Sequence, residues 1–392
     1  MIEAIRNWFQ DWSDACEYAN ECAPDFSFIE TFQPNKWLQL ITILAFICLA
    51  INEWRINKLH HDCAEAFKDS PNRFSFKTLF SGSILGDFAT TSYIAIICSL
   101  AQITDFRLLL FPEIGALANE ILRKPRGLWA NSPIMLMITP FLTGLVGTIT
   151  TRYLPYGMMS ILVSVSSGII IIRLLGSPIA PAISAGLLPV TVGETSWWYP
   201  FSLLVGTGLL ASLSVLQSRW NFLRLDSAAP EIMSPQQIPA AQSNMTWLPF
   251  FLSFLLIAAY VASQTQIRFF LFPPLIVIAY EMFAHASVCP WAQRPSVLPL
   301  ACALTASAGV VIVSWLGTGP VAAALAVFYA TVVLRGLDIH VPPAIAASLL
   351  PFVIPHPDYH YPLAVALGTS LLILIYSLWR IMSPIGLVMP TK

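Results

Sequence analysis

The chain has 392 residues, of which 56% are hydrophobic and only 10% charged, with a mean hydropathy of +0.70; soluble domains are about a quarter charged. That gap excludes a soluble globular protein, and the 24 Phe, 12 Trp and 11 Tyr set among aliphatic runs exclude a disordered one. With 20 Lys and Arg against 21 Asp and Glu the net charge is -1, so the bulk charge points to no nucleic-acid partner. What remains is an all-α polytopic membrane protein, embedded in lipid.

Residues 1–35 are acidic and contain no apolar core of a secretory signal. Ile2, Ile5, Phe9, Trp12 and Cys16 recur there at helical spacing opposite Glu3, Arg6, Gln10 and Asp14. This pattern predicts a helix lying in the membrane interface, with a soluble partner-binding helix as the competing reading. Cys16 and Cys22 are the one close cysteine pair outside the spans, whereas Cys48, Cys98 and Cys302 fall in apolar runs and read as packing residues. An extra span is expected at 37–52, followed by a basic loop over 53–78.

From residue 79 onward the chain repeats itself. Sliding 129–217 onto 291–379 without a gap gives 26 identities in 89 positions. They include Trp129 with Trp291, Gly147 with Gly309, Arg173 with Arg335, Tyr199-Pro200 with Tyr361-Pro362, and PAISAGLLP (181–189) with PAIAASLLP (343–351). Upstream, at a shift of 161, Thr104, Arg107, Phe111, Pro112 and Glu120 meet Thr265, Arg268, Phe272, Pro273 and Glu281. Two copies of one helical unit are therefore expected, at 79–217 and 246–379, joined by a proline-rich linker over 218–245 and followed by a tail over 380–392.

Each copy divides at its breakers into six apolar segments: 79–101, 107–122, 134–151, 156–174, 178–190 and 197–217, then 246–263, 268–283, 298–315, 319–335, 340–353 and 361–379. The second and fifth are short. At about 1.5 Å per residue they reach roughly 20 to 24 Å of a hydrocarbon core about 30 Å thick. They are half-helices, or spans that other helices shield from lipid. The 30 prolines and 19 glycines point the same way, because a broken helix at membrane depth needs protein or a wet cavity around it. If every segment crosses, 15 of the 20 Lys and Arg fall on one side; if the fifth segments are re-entrant, the split is even. The first arrangement is expected. It makes the copies two parallel tandem repeats, with short or broken proline-led helices and the extra N-terminal span in front.

The second copy carries RFFLFPPL (268–275), then Pro290-Trp291-Ala292-Gln293-Arg294-Pro295, then His340-Val341-Pro342-Pro343-Ala344. In that order these resemble the HPP family of integral membrane proteins, which carries F-P-P-L-G-A, S-P-L-A-Q-P-R-N and H-P-P-A-G-A. Here His340 stands one residue early, Arg294 and Pro295 are transposed, and Ile276 and Ile345 replace the glycines. The resemblance implies a helical, transporter-like protein, some members being linked to nitrite movement across plastid or bacterial membranes. The expected location is the bacterial inner membrane or an organelle membrane.

The candidate site follows from charge and helix starts. Glu120 and Glu281 sit near the ends of descending segments, and Arg173 and Arg335 at the ends of others; charges at such depth are costly unless paired. One reading makes them two structural ion pairs within the copies, Glu120 with Arg173 and Glu281 with Arg335. The other makes the arginines the mouth for a small planar anion, which a guanidinium fork matches. Pro181-Ala182 and Pro343-Ala344 open proline-led segments whose free amides would face that mouth, with His340 beside the second. His356, Asp358 and His360 lie between prolines that prevent helical metal-ligand spacing, so an external loop is expected and no metal or cofactor. The chain contains no H-E-x-x-H, G-x-S-x-G or Walker A motif, so neither an enzyme nor direct use of ATP is expected. The function expected is a gradient-driven transporter or channel for a small anion, compatible with a homo-oligomer. The alternative is a non-transporting membrane scaffold or sensor.

Overall fold

The computed structural model describes residues 84–125, 127–220, 245–354 and 357–382. The interfacial helix, the Cys16 and Cys22 pair, the span expected at 37–52, His356, and most of the linker and tail lie outside the described residues. Among the described residues every regular element is helical. The α-helices are α1 (Ile84–Ile103), α2 (Glu113–Arg123), α3 (Pro133–Tyr153), α4 (Met158–Leu175), α5 (Pro181–Val192), α6 (Trp198–Trp220), α7 (Leu248–Thr265), α8 (Pro273–Ala284), α9 (Leu298–Leu316), α10 (Pro320–Gly336), α11 (Pro342–Leu349) and α12 (His360–Met382). Six of them, α3, α4, α6, α7, α9 and α12, are long and apolar enough to cross a membrane. They fit a multi-pass membrane protein.

The prolines mark starts. A proline occupies the first or second position of α3, α5, α7, α8, α9, α10 and α11, where its missing amide hydrogen costs nothing and its fixed φ is already helical. Left-handed residues mark stops, with Gly176 and Gly193 closing α4 and α5 at φ values of 56° and 79°. The same turns recur without glycine. Asp338 takes the place of Gly176 at φ 51°, and Asp105 and Gln266 both turn left-handed two residues ahead of the short 3-10 turns Arg107–Leu110 and Arg268–Leu271.

The short helices are interior elements. Nearly all of α2, α5, α8 and α11 is buried, and they touch in a closed ring, α2 on α11, α11 on α8, α8 on α5 and α5 on α2. The longer helices pack around them: α3 lies on α4, α5 and α6, and α9 on α10, α11 and α12. A helix covered this way need not be long enough to span the hydrocarbon, because its ends meet protein and not lipid.

Packing at this depth needs small residues. A Cβ on Gly147 of α3 would strike the carbonyl oxygen of Gly186 in α5, and one on Gly309 of α9 the carbonyl oxygen of Ser348 in α11. Backbone therefore lies on backbone at both crossings. The exposed aromatics Tyr153, Trp198 and Trp315 stand at one end of α3, α6 and α9, where amphipathic rings mark a membrane–water interface.

Each short fifth segment also carries a proline near its end, Pro189 inside α5 and Pro351 in the 3-10 turn Leu350–Phe352 that follows α11, and such a proline leaves the carbonyl four residues earlier without a donor. Pro189 so strands Ala185, and Pro351 strands Ala347. The buried Tyr199 hydroxyl donates to the Ala185 carbonyl at 2.6 Å, and the buried Tyr361 hydroxyl to the Ala347 carbonyl at 2.7 Å. Removing either hydroxyl orphans a buried acceptor. Tyr361→Phe should destabilise the detergent-solubilised protein by about 1–3 kcal/mol, and Pro351→Ala in the same chain should recover part of that by restoring a helical amide. Thermal unfolding of the single and double variants measures both; Tyr153→Phe, at an exposed hydroxyl, should change nothing.

Candidate functional site

One end of the bundle gathers charges that the apolar sequence otherwise avoids. Asp87 stands in the first turn of α1, Glu120 and Arg123 in the last turn of α2, Lys124 just after it, and Arg335 in the last turn of α10. The spacing 120, 123, 124 puts the three α2 groups on one face of the helix, and cations at a helix C-terminus suit its dipole. That face looks toward α1 and α11, the neighbours of α2.

The charges meet in two linked groups. Asp87 binds Arg335 directly through Oδ2 and lies 3.5 Å from Arg123 Nε through Oδ1. Glu120 receives Lys124 Nζ at 2.7 Å on one oxygen and His340 Nε2 at 2.8 Å on the other, and Lys124 Nζ stands 3.2 Å from the same imidazole nitrogen. The cluster grades from inside outward. Asp87 and Arg335 have only 9% and 14% of their side chains exposed, His340 33% and Lys124 51%. Three cations and one imidazole thus surround two carboxylates. A recess of about 70 Å³ opens beside them, lined by Glu120, Ile121, Lys124 and the turn Gly127–Ala130. By that measure one water needs about 10–15 Å³, so the recess has room for a small ion or a few waters.

The other half carries related groups in different company. Glu281 pairs with His285 at 2.9 Å across one helical turn, where Glu120 pairs with Lys124. Arg173 lies over the Trp247 ring at 6.0 Å and reaches the Tyr280 hydroxyl. The expected pairs Glu120 with Arg173 and Glu281 with Arg335 are therefore not formed. The reason is the packing of the long helices. α10 lies against α1 and α4 against α7, so each arginine finds its partner in the other half, Arg335 on Asp87 of α1 and Arg173 on Trp247 just ahead of α7 and Tyr280 of α8.

Pro181 opens α5, and Pro343 is the second residue of α11. Both are buried, as are Ala182 and Ala344 at 0% exposure. The start of α5 is closed by protein: Thr139 donates to Ser177 Oγ at 2.8 Å, and that oxygen accepts the Ile179 amide at 3.3 Å. The structure brings together Glu120, His340 and Arg335, with Pro343 and Ala344 following His340 into the interior. It leaves Arg173 and Glu281 to their own partners and Pro181 and Ala182 to packing. Asp87, Arg123 and Lys124 were not singled out by sequence reading, although a lone acid in an apolar segment is a signal in itself.

At the opposite end Arg268 covers the Tyr156 ring at 4.6 Å, and Arg152 donates to the Thr195 carbonyl at 2.7 Å while covering Trp197. The Tyr156 hydroxyl, in the α3–α4 connection, is pushed up to about 12 by burial. Exposed His360 meets Asp358 at 3.1 Å, and the Asp358 carboxylate accepts the amides that open α12. Cys98 and Cys302 are buried, as the packing reading requires.

No family model, curated protein or solved structure matches this chain.

The ion pairs of Asp87 and of Asp338 differ in burial, and so should their contributions. Asp87→Asn leaves two guanidinium groups against a neutral amide and should cost about 3–5 kcal/mol, the range for stripping one partner from a buried pair. Asp338→Asn removes the partner of Arg294 at a position 97% exposed, and should cost less than about 1 kcal/mol. Unfolding of both variants in one detergent tests the difference, and Arg335→Gln added to Asp87→Asn should recover part of the larger loss.

Proposed function

We propose that this chain is a gradient-driven transporter or channel for a small anion, with nitrite among its substrates, and that it performs no enzymatic reaction. The observation that carries this reading is the cluster of Arg123, Lys124, Arg335 and His340 around Asp87 and Glu120, drawn from both halves of the chain, with Glu120 and Lys124 also lining a recess. Ionisable groups in membrane helices are retained at a cost and are a functional signal by default. The excess of cations selects an anion. The guanidinium of Arg335 adds a planar fork suited to an oxyanion. The resemblance to HPP proteins over 268–379 agrees with this substrate class, and we place the protein in a bacterial inner membrane or an organelle membrane.

The same reading takes the two halves as parallel repeats. Several contacts support it. Within the first half, Ser214 of α6 donates to the Ala130 carbonyl and Gln217 to the Leu122 carbonyl, so the end of α6 returns to the α2–α3 connection where Asp87 of α1 also sits. In the second half, Trp247 at the start of α7 touches Tyr280, and Trp379 at the end of α12 touches Phe283. Arg294 then ties the α8–α9 connection to Asp338, two residues before His340, which bonds Glu120. Both halves thus begin and end at the charged end.

The second reading, a scaffold or sensor that moves no solute, is favoured by the tight apolar packing of the four inner helices.

Flux separates the two. In vesicles of reconstituted protein, Arg335→Lys keeps the charge and loses the fork, so nitrite flux should fall several-fold more than chloride flux per incorporated protein. An unchanged nitrite-to-chloride ratio removes the arginine from the anion path, and no flux in the native protein leaves the scaffold reading. For the repeats, single cysteines at Ser70 and Ser227 should be labelled from one side of the membrane, and a cysteine at Thr195 from the other. Labelling of Ser70 and Ser227 from opposite sides would make the copies antiparallel.

A further inference from the structure

Glu113, the first residue of α2, is 1% exposed and lies in the inner ring, where Ser184 of α5 donates a hydrogen bond to its Oε1. Its Oε2 is buried with no hydrogen-bond partner. Ten residues separate it from Arg123, about 15 Å along the helix, which is half the thickness of a hydrocarbon core of about 30 Å. The cations of the charged end are therefore remote, and each already faces Asp87 or Glu120. An ionised carboxylate at that depth, with one hydroxyl donor and one bare oxygen, is far less stable than the neutral acid.

The fold does not require this acid. At the equivalent crossing of α8 and α11, Pro274 stands for Glu113 and Ala346 for Ser184, and those helices still pack. A titratable acid with a hydroxyl donor has thus been placed in one half only, at mid-depth. The elements packed on α2 bring no counter-charge to it among the described residues. α1 offers Asp87, bound to Arg335 and Arg123, together with Tyr93 and Cys98. α6 offers Tyr199. α5 and α11 carry no titratable side chain of their own, with Glu194 beyond the end of α5 and His340 ahead of α11. Tyr361 of α12 is the remaining group that acts on Glu113. The hydroxyls of Tyr93, Tyr199 and Tyr361 are committed as donors to backbone carbonyls.

We propose that Glu113 is a proton-binding site that couples proton movement to the anion. It is neutral in this closed conformation. The carboxylate takes a proton from water while the α2–α5 contact is open toward the face from which the anion enters; the contact closes on the neutral acid, and when it opens toward the opposite face the acid releases that proton to water and becomes a carboxylate, in which form, still wetted, the empty site turns back. One proton is bound and one released per cycle, so an anion crossing in the same cycle moves as a neutral pair. The coupling rests on the transport reading above, whereas the buried neutral acid does not.

The full-length protein in lipid vesicles tests both parts. In infrared spectra at neutral pH, the C=O stretch of a protonated carboxyl should be present in the native protein and lost in Glu113→Gln. Ser184→Ala copies the other half and leaves the acid in place; it removes a donor to the carboxylate, so the band should persist to a higher pH. That variant covers the case in which Glu113→Gln does not fold. With a lumenal pH dye and an inward nitrite gradient, native vesicles should acidify beyond the empty-vesicle background, and Glu113→Gln vesicles should still exchange labelled nitrite with no extra acidification. A carboxyl band that Glu113→Gln leaves intact, with a titration that Ser184→Ala does not move, overturns the proton site. Acidification unchanged in Glu113→Gln overturns the coupling. If the native protein moves no nitrite while the band behaves as expected, the transport reading and the coupling fail together and the neutral acid stands.

Discussion

Every backbone amide and carbonyl inside a bilayer must find its partner within the protein, since lipid offers none. This chain meets that constraint with prolines in the segments that lie deepest, inside α5 and just after α11. Pro189 and Pro351 each free a carbonyl, and Tyr199 and Tyr361 return a donor to it from the next helix along the chain. The broken hydrogen bond of the short helix becomes a tether to the long one. Gly147 and Gly309 then let a third helix lie directly on the same segment. The short helices α5 and α11 hold their place in the inner ring because their exposed backbone is answered by tyrosines and covered by glycine contacts.

That inner ring decides where polar chemistry can occur. Helices α2 and α8 carry their charged ends outward, so Glu120 and Glu281 reach partners at the end of the bundle, while the opposite end of α2 runs into the middle. Exchange of neighbours between halves completes the arrangement: α1 lies against α10 and α7 against α4, and α2 and α11 supply the two sides of the Glu120 and His340 contact. A site built across the halves responds to any movement of one against the other, which is the geometry that a rocking transporter exploits. The same contacts in a rigid protein would only clamp the halves together. The difference between those outcomes lies in the energy of opening the ring.

The halves are most alike in backbone and least alike in charge. Left-handed turns, 3-10 turns, the tyrosine tethers and the glycine crossings recur at a shift of 161 or 162 residues. Lys124 against His285, Asp87 against an aromatic partner, and Glu113 against Pro274 do not. Backbone geometry is held by packing that tolerates no change, whereas a buried charge can be lost from one half once the other retains it.

Much of this was legible in the residues themselves. Hydropathy, breakers and the repeat of PAISAGLLP as PAIAASLLP located the helices to within a few residues and marked the second and fifth segments as too short to stand alone in lipid, because length and apolar character are local properties. Pairing was not local. Sequence reading joined Glu120 to Arg173 and Glu281 to Arg335 inside each copy, and the structure gives Arg335 to Asp87 and Glu120 to His340. Nor did it separate Glu113 from the ordinary acid of a helix start. Which helix faces which depends on how the twelve α-helices of the described residues share one interior, and ridges, small residues and tethers from distant parts of the chain settle that together. Charge and spacing along the sequence name the groups that need a partner; only the tertiary packing decides which partner each one meets.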